Sequence, residues 1–153
     1  MKVRILSGLV MLPLLLIIFL GGYVLLAACF IIGIMGVREF FKAFESMDIK
    51  PSHLIAYVMT SVLYLVNIFF NKAEFYVAWC FVTVLVCLLY LFKINERKLE
   101  DGMVTLLGIF YVVFFSFHVT LTEQSGKYGI LVWLVLLTAF GTDIMAYFTG
   151  FLL

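Results

Sequence analysis

Between Arg4 and Arg38 the chain runs for 33 positions without a charged residue, and no other stretch limits the possible folds as strongly. Drawn as one helix it would be about 50 Å long, at roughly 1.5 Å per residue, against a hydrocarbon core of about 30 Å. It has to fold back, and Gly21-Gly22 supplies the turn. The first span therefore covers residues 5–20, with a kink expected at Pro13, and the second covers 23–44. The end of the second span, Arg38 to Phe44, reads as an interfacial helix whose basic side chains reach the headgroups.

The same alternation of apolar runs and short polar breaks continues to the end. Met47 to Pro51 interrupts the helix, and Ser52 is placed to cap a third span over 52–70. Asn71 to Glu74 is a polar turn before a fourth span over 75–92. The segment Lys93 to Asp101 is the most charged in the chain and precedes a fifth span over 103–121. The loop Thr122 to Lys127 leads to a sixth over 129–153. With 66% hydrophobic and 12% charged residues, against roughly half and about a quarter in soluble domains, the fold class is an all-α polytopic membrane protein. The expectation is one transmembrane domain over 1–153, about six helices, and a first helix retained rather than cleaved as a signal peptide.

Basic residues orient the chain. With the N-terminus in the cytoplasm, Lys2, Arg4, Arg38, Lys42, Lys50, Lys93, Arg97 and Lys98 fall inside, and only Lys72 and Lys127 fall outside. Both termini are then cytoplasmic and the protein is a multi-pass component of the inner or plasma membrane. Cys29, Cys80 and Cys87 all lie in apolar runs, so they read as small buried hydrophobes rather than a disulfide framework. The net charge of +1 argues neither for nor against a nucleic acid or an anionic surface.

Asp143 is the residue that composition does not explain. It lies within the apolar run from Gly129 to Leu153, fourteen residues past Gly129, which is about 21 Å of helix and places it in the cytoplasmic half of the core. An ionised group there costs about 2.5–3.5 kcal/mol on insertion scales, so it is expected to face a cavity, a metal or a partner. Ala139, Asp143, Ala146, Tyr147 and Gly150 share one helical face, and the small residues let another helix come close. Outside the interfacial end of the second span, which carries Arg38 and Lys42, no Lys or Arg lies within an expected span to neutralise it. His118 and Asn67 read as interhelical hydrogen-bonding residues, and His53 as interfacial.

Thr142, Asp143, Ala146, Tyr147 and Gly150 form a Thr-Asp-x-x-Ala-Tyr-x-x-Gly pattern. Upstream, in order, stand Arg4-Ile5, Ser7, Pro13, Gly21-Gly22, Glu39-Phe40, and then Gly108 and Tyr111 as Gly-x-x-Tyr. This ordered set resembles the bacterial phosphatidate cytidylyltransferases (CDP-diacylglycerol synthases) along the full chain. Ile144, Met145 and Phe151 depart from the family's usual residues. The resemblance implies a nucleotidyltransferase of phospholipid biosynthesis that joins CTP to phosphatidate and releases diphosphate. It implies Mg2+ as cofactor, Asp143 as catalytic and metal-binding residue, and Thr142, Ala146, Tyr147 and Gly150 as motif and packing residues. Glu39 and Arg38 carry a weaker claim through the Glu-Phe pair, beside their reading as interfacial anchors.

The partners implied are CTP, phosphatidate and the lipid bilayer, with a homodimer compatible and no nucleic acid. The resemblance further implies that these residues are the front part of a longer enzyme, inactive alone, whose missing cations lie downstream. Two other classes compete: a transporter module using Asp143 as an ion or proton relay, and a structural membrane subunit in which Asp143 pairs with a partner's basic residue.

Overall fold

A computed structural model describes residues 13, 15–91 and 97–152. Among them there is no strand, and the helices follow the apolar runs. Residues 15–20 are helical, and the turn at Gly21 and Gly22 has φ of +59° and +54°, the left-handed region in which a Cβ is strained. Helix α1 is Gly22–Glu45, α2 is His53–Phe69 and α3 is Ala73–Tyr90. Helix α4 runs Leu99–Gln124 and α5 runs Leu131–Leu152. Helices α1, α3, α4 and α5 are long and apolar enough to cross a membrane, and α2 is a shorter apolar helix. The protein is a polytopic membrane protein, as the hydropathy pattern requires. The expected span over 5–20 and its kink at Pro13 lie largely outside the described residues.

Local chemistry accounts for the helix ends. The Ser52 hydroxyl accepts from the Ile55 amide at 3.4 Å, the capping role expected of it. Asn71, at φ +41°, makes the turn between α2 and α3. Two boundaries differ from expectation. Leu99–Asp101 is already helical, because Asp101 closes a capping box on the Lys98 backbone. At the other end α4 continues through Glu123 to Gln124, so the loop expected from Thr122 shortens to the turn at 125–130.

The chain forms two compact units: a central one, Leu26–His118, and a terminal one that combines the residues up to Leu25 with Val119 onward. The boundaries fall inside α1 and α4. In the central unit Phe41, Phe117, Leu63, Ile109, Val37 and Val113 are fully buried. Small residues bring α1 against α4. A Cβ on Gly36 would stand 2.9 Å from Val112, and one on Gly108 would stand 2.4 Å from the Phe41 ring. Aromatic edges tie the other helices in: Tyr64 meets Phe30 and Phe117 at centroid distances of 5.2 and 5.1 Å, and Trp79 stacks on Phe114 at 5.6 Å.

Several buried polar groups in this core find partners, whereas the Tyr64 hydroxyl is buried without one among the described residues. Trp79 Nε1 donates to the Met59 carbonyl at 2.9 Å, and Thr60, Thr83 and Thr105 donate to carbonyls one turn back on their own helices. Asn67 Nδ2 donates to the Tyr76 hydroxyl at 2.8 Å, the interhelical bond expected of it. His118 Nδ1 bonds the Phe114 carbonyl of its own helix at 2.7 Å. The cysteines form no disulfide; Cys29 and Cys87 are buried and Cys80 is half-buried.

Residues Gly108–Phe114 of α4 form a π-helical turn, in which the Phe115 amide reaches back to Phe110. Such a turn holds one residue more than an α-turn and rotates the remainder of the helix about its axis. In the terminal unit the Glu123 carboxylate accepts from the Gly22 amide at 2.9 Å, which satisfies the first donor of α1.

Candidate functional site

The sequence singles out Asp143, and the structure places it in the middle of α5. Thr142, Asp143, Ala146, Tyr147 and Gly150 are all exposed, and Tyr147 is 45% so. Nothing stands within 4 Å of a Cβ built on Gly141 or Gly150. Only 6% of the α5 span is buried, so the face expected to accept another helix is left uncovered by the described residues. No described residue bonds or pairs with the Asp143 carboxylate. The Thr142 hydroxyl turns back onto the Thr138 carbonyl, and Thr149 does the same to Met145 at 2.7 Å. These hydroxyls satisfy the backbone instead of extending the site.

The donor set for a cation is thus small. Among the described residues no group of three or more His, Cys, Asp or Glu could hold a metal ion. A single carboxylate nevertheless suits Mg2+, which keeps several waters and is held through one or two carboxylates together with substrate phosphates. Asp143 fits one such position and no more.

Arg38 and Glu39 lie near the end of α1, exposed, in the central unit. Glu39 Oε1 takes the Lys42 ammonium at 2.7 Å one turn on, a surface pair on the helix rim. Their neighbour Phe40 is more informative. Its ring lies 6.2 Å from that of Tyr111, and its Cδ1 would be 3.2 Å from a Cβ on Gly108. The Glu-Phe pair and the Gly-x-x-Tyr segment, 68 positions apart in sequence (108 minus 40), therefore meet at the π-turn. They meet as packing: Gly108 admits the rings of Phe40 and Phe41, and Tyr111 is 62% exposed.

Sequence reading missed the carboxylate that is in fact buried. Asp101 is 2% exposed. Its Oδ1 accepts from the Lys50 amide at 2.7 Å and its Oδ2 from the Lys98 amide at 2.9 Å. One turn on, Thr105 accepts from the Ser52 amide at 2.9 Å. Together these bonds fasten the 46–52 turn to the start of α4. The signal was present as an Asp three residues after Lys98, at the start of an apolar run, which is where an N-terminal helix box places its acid. Around this hub stand Tyr90, whose hydroxyl donates to the Lys50 carbonyl at 3.4 Å, and Arg97, whose guanidinium carbon is 4.7 Å from the Tyr90 ring centroid. Beside it His53 Nε2 meets Glu45 Oε1 at 2.7 Å, joining α1 to α2.

Two apolar grooves open on the central unit. One, about 320 Å³, is lined by Leu26, Phe30, Tyr64 and Leu65 among others. The other, about 540 Å³, is lined by Ile49, Glu100, Met103, Leu107 and Phe110 among others. Neither contains Asp143, Arg38 or Glu39, so neither is the expected chemical site. Both are lined almost wholly by apolar atoms.

No curated protein and no solved structure matches the chain. A model of the cytidylyltransferase family does match, over residues 2–153. That interval contains the Asp143 motif, the Glu39-Phe40 pair and the Gly108 to Tyr111 segment, and it takes in nearly the whole chain. This polytopic membrane protein belongs to the cytidylyltransferase family.

Proposed function

We propose that the protein serves phosphatidate cytidylyltransfer: CTP and phosphatidate are converted to CDP-diacylglycerol and diphosphate at the cytoplasmic side of the plasma membrane. A phosphate oxygen of the lipid attacks the α-phosphorus of CTP. The new P–O bond forms as the bridge to the β-phosphate breaks, and diphosphate leaves with the bond electrons. Nucleophile, electrophile and leaving group are all anionic, so the reaction depends on positive charge brought to one place. Bound Mg2+ would supply part of that charge on the phosphates. Within this chain Asp143 would hold the cation, and Ala139, Ala146 and Gly150 would leave room beside it.

The observation that carries the reading is the Asp143 carboxylate itself, standing without a partner among the described residues on an uncovered face of an apolar helix, in a chain of this family. Such a group is held at a cost unless a cation or a basic residue completes it. The test is turnover of CTP and phosphatidate by the purified protein in mixed lipid–detergent micelles. Asp143→Asn is expected to lower turnover by about 10²-fold, the scale seen when one electrostatic group is removed from a polar transition state. Undiminished turnover in that variant would refute the assignment.

A further inference from the structure

The end of the central unit formed by the 46–52 turn and residues 97–101 holds two cations in an unusual setting. The Arg97 guanidinium lies over the Tyr90 ring, and its Nε is buried with no hydrogen-bond partner among the described residues. A buried guanidinium N–H is ordinarily satisfied, and one left without an acceptor is costly. Stacking on a ring occupies the face of the guanidinium and leaves its edge, the fork that matches a phosphate, for an anion.

The second cation is Lys50. Its backbone is clamped on both sides, by Asp101 through the amide and by Tyr90 through the carbonyl. Its exposed ammonium has no ion-pair partner among the described residues. Lys98, held by the same carboxylate, is already paired with Asp48 at 3.3 Å. Among the described residues, the acids nearby do not neutralise these two cations. Asp101 spends both oxygens on backbone amides, Asp48 is taken by Lys98, and Glu100 is exposed at the groove beyond. A single tyrosine, Tyr90, therefore touches the Arg97 guanidinium and the Lys50 backbone together.

We propose that Arg97 and Lys50, gathered on Tyr90 and Asp101, bind a phosphate group at this end of the central unit. The shared chemistry is a phosphate ester with at least one free oxyanion, and two sources present it: the headgroup of an acidic lipid and the phosphates of a soluble nucleotide. The site goes beyond the transfer reaction, since it concerns binding and its test needs no turnover.

The purified chain is compared as wild type, Arg97→Gln, Lys50→Gln and Lys72→Gln, the last altering the turn between α2 and α3 at the opposite end of these helices. In the lipid arm, native mass spectrometry counts phosphatidate retained from nanodiscs of phosphatidylcholine doped with phosphatidate. In the soluble arm, the thermal unfolding of detergent-solubilised protein is titrated with CTP and, separately, with inorganic diphosphate. Loss of a charged hydrogen-bonding partner predicts an affinity about tenfold lower or more in Arg97→Gln and Lys50→Gln, with Lys72→Gln unchanged. A loss in the lipid arm supports the site and names a headgroup; a loss confined to the soluble arm supports it and names a nucleotide. Unchanged binding in both arms overturns the proposal, and so does an equal loss in Lys72→Gln. Lys50→Gln alters an exposed side chain whose backbone clamps remain, so the result stands even if Arg97→Gln fails to fold.

Discussion

Two aspartates on neighbouring long helices have opposite environments. Asp101 lies under the 46–52 turn with both oxygens occupied by main-chain donors, whereas the Asp143 carboxylate has no hydrogen bond or ion pair among the described residues. Their roles in folding differ accordingly. Asp101→Ala strands the Lys50 and Lys98 amides, and each buried donor left without an acceptor costs about 1–3 kcal/mol. Thermal unfolding in detergent is expected to show a clear drop in Tm for Asp101→Ala and none for Asp143→Ala. An equal drop in both would contradict the geometry. Sequence reading ranked these two the other way, because an acid inside an apolar run stands out and an acid in a charged segment does not. Which acid is buried depends on what folds over it, and the turn that covers Asp101 is about fifty positions upstream.

At the scale of elements, turns and helix contacts rest on glycine. Gly21 has φ +59°, and a Cβ there would stand 2.6 Å from Glu123 Oε1, the group that accepts from the first amide of α1. Gly21→Ala thus meets a backbone penalty of about 1–2 kcal/mol together with a displaced cap. Its expected outcome is a lower Tm and faster proteolysis near the turn; a variant as stable as wild type would mean that the cap is not needed. The need for a turn here was legible from hydropathy alone, since an uncharged run of that length cannot cross once. The π-turn at Gly108–Phe114 was not legible. Its residues are ordinary apolar ones, and the extra residue is accommodated where the Phe41 ring fills the space beside Gly108. The convergence of Phe40 with Tyr111 arises from the same contact.

Across the whole molecule, membrane orientation joins the sequence to the proposed chemistry. Lys50, Arg97 and Lys98 meet at one end of the central unit, together with the end of α1 that carries Arg38 and Lys42, while Lys72 lies in the turn at the far end of α2. The positive-inside rule assigns the first group to the cytoplasm. With Cys29, Cys80 and Cys87 replaced by Ala, a Lys72→Cys variant is expected to react with a membrane-impermeant maleimide on intact cells. A Lys50→Cys variant is expected to react only after permeabilisation. The reversed pattern would put Asp143 toward the wrong side for CTP and would end the transferase reading of this acid.

Taken alone, the order of residues determined the membrane class, the approximate limits of the described helices, the glycine turn and the motif around Asp143. Each of these is written in local terms: the length of an apolar run, a cap, a small-residue face at helical spacing. Only the tertiary structure decided that Asp101 is buried, that Arg97 rests on Tyr90, and that Phe40 meets the π-turn. Burial and partnership belong to pairs of segments far apart in sequence, and hydropathy, which averages over neighbours, carries no record of which donors fold onto which acceptor.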